Sequence, residues 1–227
     1  MAQNWHDLLF AHWEVPVAKM RELVPSGLEI DTFEGRVWIG VVPFRMSGVR
    51  LRGTPALPGL SAFPELNVRT YVKAEGKRGV WFFSLDAGNR IAVEVARAWF
   101  HLPYFFARMR LQASDNAIHY ASRRVDRRGN AESLEMKYRA ESGCFAARPG
   151  TLEHFLTERY CLYARRPDGR LLRGEIHHAP WQLQTARAEF AKNAMTKALG
   201  VELQGKPLLH YAKLQEVVVW APQVVRT

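Results

Sequence analysis

The sequence predicts a mainly β protein of the α+β kind, built on an antiparallel sheet that curls or closes on itself. Three observations lead to this fold class. Short apolar segments with strand-like alternation recur along the chain, Gly- or Asp-containing turns separate them, and only three or four short segments have helical spacing. Closure is expected because a closed sheet leaves no exposed edge strands.

The first quarter of the chain predicts a strand, a short helix, a hairpin and a flap. The helix follows Pro16, because proline is favoured in the first helical turn, and the hairpin turns at Glu34-Gly35. The flap is rich in Pro and Gly and too long for a tight connection. These elements cover residues 7–13 for the strand, 17–23 for the helix, 28–33 and 36–44 for the hairpin, and 52–63 for the flap.

The central stretch, residues 63–111, predicts a hairpin that a helix covers. Two apolar segments flank the charged turn EGKRG, and Asn89 is a suitable N-cap for a helix that ends at Phe100. The apolar side of this helix is expected to pack on the sheet through Ala92, Val95, Ala96 and Trp99. Its exposed side is expected to carry Arg90, Glu94 and Arg97.

The C-terminal half predicts two more hairpins, a short helix, a longer helix and a final strand. The hairpins turn at DRRGN and at Pro-Asp-Gly, and Gly200 ends the longer helix. The predicted bounds are strands at 118–124, 132–140, 158–164, 171–178 and 208–220, and helices near 151 and at 186–199.

Composition indicates one domain, 1–227, with a well-buried core, because 48% of the residues are hydrophobic and no low-complexity linker divides the chain. Two cysteines without a pairing pattern, no signal segment and no long apolar run predict a cytoplasmic protein without a membrane partner. The net charge of +10 raises the question of nucleic acid. The basic residues are scattered or lie at turns, and no nucleic-acid motif accompanies them, so we expect no nucleic-acid partner.

One strand carries the best candidate site. Glu65, Asn67 and Arg69 are spaced by two and therefore share a face, whereas Leu66 and Val68 point to the other face. A carboxylate, an amide and a guanidinium between aromatic residues are typical of a polar-floored pocket. In this apolar setting Glu65 is either a general acid or base with a raised pKa or a structural ion-pair partner of Arg69 or another arginine, and the spacing leaves both open.

Further candidates are His101 and Tyr104, which bracket Pro103 just after the central helix. Buried Tyr and His also occur as packing residues whose polar atom makes one hydrogen bond. The adjacent His177 and His178 point to opposite faces of a strand, and no metal-binding spacing accompanies them, so no metal site is predicted. No nucleotide-binding or serine-hydrolase motif is present, and no cofactor is expected.

On these residues the chain resembles the acetoacetate decarboxylase-like superfamily, and within it the uncharacterised YqjF-like bacterial branch. The similarity is carried by residues 6–31 (HDLLFAHWEVPVAKMRELVPSGLEID) and by a gapless stretch, residues 65–105, that includes Gly79, Arg97 and Pro103. The resemblance implies a cone-shaped antiparallel β-barrel with peripheral helices and an internal pocket.

The resemblance also implies roles for individual residues. The family's catalytic glutamate corresponds to Glu65, its Schiff-base lysine to Tyr104, the lysine beside it to Phe105, and its substrate-carboxylate arginine to His6. Without a primary amine no imine forms with a keto substrate, so the electron sink for decarboxylation is missing.

The sequence therefore predicts a pocket for a small-molecule ligand, bounded by His6, Glu65, Asn67, Arg69, His101 and Tyr104. Its function is ligand binding, or lyase or isomerase chemistry by acid/base catalysis without a Schiff base, on a small carbonyl or carboxylate compound. The alternative is a non-catalytic interaction protein that uses its basic surface and has no pocket. Assembly into a homo-oligomer is left open.

Overall fold

The computed structural model of the protein describes residues 1–51, 53–55, 61–114 and 117–225. Strands dominate these ranges, and three α-helices and a 3-10 turn at Lys197–Leu199 lie between them. The helices are α1 (Val17–Leu23), α2 (Arg90–Phe100) and α3 (Leu152–Thr157). The strands are β1 (Ala2–Val15), β2 (Glu29–Ile30), β3 (Val37–Arg50), β4 (Phe63–Ala74), β5 (Lys77–Ala87), β6 (Tyr104–Ser114), β7 (Ala117–Arg124), β8 (Ser133–Ala140), β9 (Phe145–Ala146), β10 (Cys161–Arg165), β11 (Leu171–His177), β12 (Gln182–Asn193), β13 (Leu208–Val219) and β14 (Gln223–Val224).

The main sheet closes into a ring, which confirms the predicted fold class. Around the ring the strand order is β1, β3, β4, β5, β6, β7, β8, β12 and β13, and β13 pairs with β1. All of these pairings are antiparallel except that of β5 with β6. No edge therefore remains within the ring itself.

Strands β10 and β11 form a second hydrogen-bonded connection between β5 and β13, separate from the path through β6, β7, β8 and β12. β10 pairs with β5 in parallel, and β11 pairs with β13. As a result β1, β3 and β4 have one apolar core on each face. This explains the sequence of β4, in which nearly every position is buried whichever way it points.

Helix α2 is the crossover that makes β5 and β6 parallel neighbours. The side chain of Asn89 accepts hydrogen bonds from the amides of Ile91 and Ala92, so the predicted N-cap is confirmed. Strand β6 was not among the elements predicted from the sequence. Its first residues pair with the end of β5, Tyr104 opposite Leu85.

The expected packing of α2 is wrong in part. Ala92 and Ala96 are half-buried as predicted, but Val93 and Phe100 are the buried residues, and Trp99 is 62% exposed. Ile91, Val95 and Trp99 lie four residues apart and form an exposed apolar stripe. Apolar side chains cover more of the surface of this helix than the part that packs on the sheet. The amphipathic pattern alone therefore did not show which of these apolar residues are buried.

The helix predicted over residues 186–199 is wrong. These residues contain most of β12, which pairs with β8 through residues 186–193, and helical geometry is limited to Lys197–Leu199. The stretch contains five Ala and two Lys, which are good helix formers. Pairing with β8 and β13 overrides this intrinsic preference.

The hairpin predicted over 28–44 is partly wrong. Phe33 and Arg36 form an isolated bridge around the turn, but the two residues of β2 pair with β4 instead of β3. Half of the predicted flap at 52–63, residues 52 and 56–60, lies outside the described residues. Across the ranges that the structure describes, no helix combines the length and apolarity that crossing a membrane requires.

Candidate functional site

A cavity of about 140 Å³ lies between β1, β3, β4, β5, β10, β11 and β13, and α2 covers one side of it. Its wall is mainly apolar and aromatic, with Trp5, Phe44, Phe63, Phe82, Phe100 and Trp181 among the largest contributors. The polar side chains in the wall are Gln3, Glu65, Asn67, Arg69, Tyr104, Thr157, Arg159 and His178. An apolar cavity with a few converging polar groups is the usual form of a small-molecule site.

Glu65 and Tyr104 meet in this cavity. Glu65 lies on β4 opposite Ala87 of β5, and Tyr104 begins β6 opposite Leu85 of the same strand. The α2 crossover thus places the two residues on either side of β5. The Tyr104 hydroxyl donates a hydrogen bond of 3.0 Å to Oε2 of Glu65, and both side chains are buried.

Burial changes the acidity of both groups. Loss of solvent raises the pKa of Glu65 to about 8, the charge of Asp86 raises it as well, and the hydrogen bond from Tyr104 opposes the rise. Burial and the neighbouring Glu65 raise the pKa of Tyr104 well above its usual value. At neutral pH the carboxyl is therefore mostly protonated and the phenol fully so, and Glu65 titrates close to physiological pH.

An ion-pair network lies behind Glu65, outside the cavity. Asp86 accepts a hydrogen bond of 2.8 Å from Nε of Arg124, which also contacts Glu132 at 2.7 Å, and all three side chains are buried. Burial raises the pKa of Asp86 to about 6, although Arg124 opposes that shift. The charge of Asp86 in turn raises the pKa of Glu65.

Asn67 and Arg69 line the same cavity, as strand alternation predicts. The side-chain oxygen of Asn67 and Nε of Arg69 are buried and have no hydrogen-bond partner. The predicted ion pair between Glu65 and Arg69 is not formed. Within the described ranges the guanidinium of Arg69 makes one long hydrogen bond, 3.5 Å to the Leu156 carbonyl, and contacts no carboxylate.

His6 does not reach the cavity, so its predicted place in the pocket is wrong. Its Nε2 lies 2.7 Å from the hydroxyl of Ser47 instead. The next residue, Asp7, has a left-handed backbone with φ of 51°, and the pairing of β1 with β3 shifts register there. This bulge reverses which side chains point inward, so Trp5 and Leu8 both enter the cavity and His6 points away.

His101 also lies elsewhere, which makes its predicted role in the pocket wrong. It caps the C-terminus of α2 in the left-handed conformation, with φ of 51°. Leu102 and Tyr104 then enter the cavity, and His101 and Pro103 face an outer groove. The side chain of His101 is half-buried in that groove.

Several wall residues had not been predicted from the sequence. Gln3 and Trp5 come from the start of β1, Arg159 from the segment before β10, and His178 and Trp181 from the segment after β11. The carbonyl oxygens of Ala179 and Arg159 lie 2.8 Å and 3.3 Å from the two ring nitrogens of His178. No local pattern marks these residues, because only the closure of the ring and the insertion of β10 and β11 between β5 and β13 bring them together.

No lysine lines the cavity among the residues that the structure describes. Over those same ranges, no group of three or more side chains with metal-binding atoms comes together. The chemically active groups of the wall are therefore a carboxyl, a phenol, two guanidiniums, an imidazole and side-chain amides. This set suits proton transfer and anion binding better than nucleophilic catalysis.

Comparison with known proteins places the chain among related sequences. Residues 2–216 match the model of DUF2071, a family described as an uncharacterized conserved protein. The uncharacterized protein YqjF of Bacillus subtilis (strain 168) is 48% identical over 221 residues, which cover 97% of this chain and 90% of YqjF.

Solved structures share the fold at low sequence identity. Acetoacetate decarboxylase from Legionella pneumophila has a TM-score of 0.65 and 10% identity, over 100% of this chain and 88% of that one. The enduracididine biosynthesis enzyme MppR complexed with pyruvate has a TM-score of 0.68 and 12% identity, over 99% and 90%. An acetoacetate decarboxylase-like enzyme from Sphingomonas wittichii RW1 has a TM-score of 0.64 and 13% identity, over 100% and 93%. Likeness at these identities shows a common fold.

Proposed function

Because this chain belongs to the DUF2071 family and shares its fold with acetoacetate decarboxylase-like enzymes, we propose that it acts on a small carbonyl or carboxylate compound by acid/base catalysis without a Schiff base. Glu65 and Tyr104 are the catalytic residues in this proposal. The reaction is that of a lyase or an isomerase.

The hydrogen bond between Tyr104 and Glu65 carries the proposal. When a carbonyl compound is bound, the phenol, which stays protonated, turns its single proton from Glu65 to the carbonyl oxygen and stabilises the enolate that forms there. The ionised form of Glu65 removes the proton from the carbon next to that carbonyl and then returns it. Return to a different carbon gives an isomerase, and departure of a leaving group from the enolate gives a lyase.

The acidity of Glu65 suits this work. A general base is most effective when its pKa lies near the working pH, and burial raises the pKa of Glu65 to about 8. The ionised fraction, and with it the rate, is expected to rise with pH up to that value. The phenol remains protonated over the same range.

Tyr104 is also the reason why we expect no imine chemistry. The sequence resemblance aligns it with the family's Schiff-base lysine, and lysine is missing from the cavity wall that the structure describes. A carbonyl substrate therefore stays non-covalently bound, and its polarisation relies on a hydrogen bond. The MppR structure with pyruvate supports a small oxo acid as the kind of ligand this fold accommodates.

Ligand binding without catalysis is the second candidate function. Six wall residues have a buried polar atom without a hydrogen-bond partner: Gln3, Trp5, Asn67, Arg69, Arg159 and Trp181. Such atoms are costly unless a ligand or water satisfies them, and this holds whether or not chemistry follows. The interaction-protein alternative predicted no pocket, so the cavity argues against it.

Hydrogen exchange in deuterated water separates the two candidates. Small ketones and oxo acids are incubated with the protein, and loss of the proton next to the carbonyl is followed by NMR. We expect exchange with wild type and a loss of about 10²- to 10⁴-fold in Glu65→Gln, because that is the usual contribution of a general base. Tyr104→Phe should keep the fold and reduce exchange as well. If the wild-type protein binds these compounds but does not exchange their protons, it is a binding protein and the catalytic proposal is refuted.

A further inference from the structure

The outer groove, which His101 and Pro103 face, is a second concave site of about 610 Å³. The acid/base chemistry proposed for the cavity makes no use of it. Among the described residues, Phe82 and Leu102 line both spaces, so their side chains belong to the wall between groove and cavity. The volume of the groove lies within the range of sites that hold small organic ligands.

The groove forms where two strands separate from β5. On the edge away from β4, β5 pairs with β10 at Val80 and Trp81, and with β6 from Leu85 onward. Residues 82–84 lie between these two pairings. The register of β5 against β4 also skips Phe83, which is therefore an extra residue in β5. Bulges of this kind are common beside functional sites because they redirect a side chain.

Aromatic side chains provide a surface on which a planar ring can stack. Trp81 and Phe83 line the groove, and each is half-buried against one of the two apolar cores. The ring of Phe105 also lines it, but the guanidiniums of Arg97 and Arg124 already lie 5.6 Å and 4.3 Å from its centre. Trp81 and Phe83 are therefore the rings that remain open to a ligand.

The charged side chains that line the groove are all basic in the part of the chain that the structure describes. They are four arginines and a histidine: Arg97, Arg128, Arg165, Arg166 and His101. Two of the arginines have carboxylate partners. Arg128 pairs with Glu94 and Asp126, and Arg166 lies 3.5 Å from Asp168.

The other two arginines, Arg97 and Arg165, contact no carboxylate within the described ranges. Arg97 donates a hydrogen bond of 2.8 Å to the carbonyl of Tyr104, which leaves its charge unmatched. Glu94 is already bound through both of its oxygens to Arg128. Guanidiniums without a counter-ion beside open aromatic rings favour a ligand that is both aromatic and anionic.

We propose that the outer groove binds a planar aromatic compound that carries a phosphate group, with the ring against Trp81 and Phe83 and the phosphate on Arg97 and Arg165. A phosphate monoester carries nearly two negative charges at neutral pH, which match the two unpaired guanidiniums. A nucleoside monophosphate has this chemistry. It cannot enter the cavity of 140 Å³, because a cavity of about 150 Å³ holds a single benzene molecule.

The test is calorimetric titration of the wild-type protein with adenosine 5′-monophosphate, adenosine and ribose 5-phosphate. We expect the monophosphate to bind at least about tenfold more tightly than either fragment, because only it makes both the stacking and the charged contacts. No binding of the monophosphate would overturn the inference. Equal binding of ribose 5-phosphate would do the same, because it would show that the aromatic rings take no part.

Variants assign the charged contact. Replacing both Arg97 and Arg165 by Met should weaken the monophosphate about tenfold to a hundredfold and leave adenosine unaffected. The matched control replaces Arg108 and Arg123, two exposed arginines outside the groove, by Met and should change neither. An equal loss in both double variants would mean that the ligand responds to net charge alone, and the inference would fail.

Trp81→Leu assigns the stacking contact. It should weaken adenosine and the monophosphate by about tenfold and leave ribose 5-phosphate unchanged. In the wild-type protein the indole NMR signal of Trp81 should shift on addition of the monophosphate, whereas that of Trp181, which lines the cavity, should not. A shift at Trp181 without one at Trp81 would overturn the inference. Should Trp81→Leu not fold, the wild-type ranking of the three compounds still decides.

Discussion

The hydroxyl of Tyr120 donates a hydrogen bond of 2.6 Å to the backbone carbonyl of Glu65. Tyr120 belongs to β7 and to the apolar core on the far side of β4, whereas the Glu65 side chain enters the cavity. A residue of the core on the far side of β4 therefore fixes the backbone of Glu65, the proposed general base. Both ends of this hydrogen bond are buried.

Tyr120→Phe should lower the free energy of unfolding by about 1 to 2 kcal/mol, because a buried carbonyl loses its partner. Tyr138→Phe is the matched control, since the Tyr138 hydroxyl donates to the Asp7 carbonyl at 2.6 Å, away from the cavity. Urea unfolding should show similar losses in both variants, whereas carbon NMR of the Glu65 carboxyl should show an altered titration only in Tyr120→Phe. Equal titration in the two variants would contradict a positioning role for Tyr120.

Glu65→Gln should stabilise the protein in alkaline solution. The pKa of Glu65 is raised from a usual value near 4.5 to about 8, so its contribution to stability is fully present below pH 4.5, falls as pH rises, and is lowest above about 8. Glutamine does not ionise and avoids this loss. Urea unfolding should show little difference near pH 5 and an advantage of a few kcal/mol for the variant at pH 9.

The groups around Glu65 bear on that result. Tyr104 of β6 donates a hydrogen bond to the Glu65 carboxyl, and the charge of Asp86 of β5 raises the pKa of Glu65. Arg124 opposes the rise in the pKa of Asp86 itself. The charge of Asp86 decreases below pH 6, where Glu65 is already protonated. A variant that is no more stable than wild type at pH 9 would show that Glu65 ionises without cost.

The protein should form no Schiff base. Treatment with borohydride in the presence of pyruvate or acetoacetate should leave the intact mass unchanged, because no lysine lines the described cavity wall. Tyr104→Lys, which puts an amine beside Glu65, is the positive control and should gain mass. A gain in the wild-type protein that maps to any lysine would contradict the mechanism.

Gly79→Ala should destabilise the fold by about 3 kcal/mol through overpacking. An added Cβ would lie 2.6 Å from Sγ and 2.7 Å from the carbonyl oxygen of Cys161, which belongs to the neighbouring β10. Gly143→Ala is the control, because nothing lies within 4 Å of a Cβ at that position. Equal thermal unfolding temperatures for the two variants would mean that β5 and β10 separate without cost.

The alternation of side chains along a strand was enough to predict which residues of β4 face the cavity. Alternation along β4 placed Glu65, Asn67 and Arg69 on one face, because side chains alternate wherever the strand is regular. The resemblance, which placed His6 in the pocket, failed there, because one left-handed residue, Asp7, shifts the pairing of β1 and turns His6 away from the cavity. Nothing in the residues around Asp7 distinguishes that bulge from a regular strand.

The other errors come from partners distant in sequence. The residues of β12 prefer a helix in isolation and form a strand because β8 and β13 offer hydrogen bonds. Arg159 lines the cavity only because β10 is inserted beside β5. Neither partner is visible from a window of neighbouring residues, so the site could be predicted only in part.

Closure of the ring has a consequence for the order of folding. Residues 2–12 of β1 pair with residues 208–218 of β13, so one wall of the cavity forms only after nearly the whole described chain has been synthesised. Until then β1 exposes an apolar strand on both faces, which is the situation in which chains aggregate. The topology that creates the pocket is therefore expected to make refolding slow.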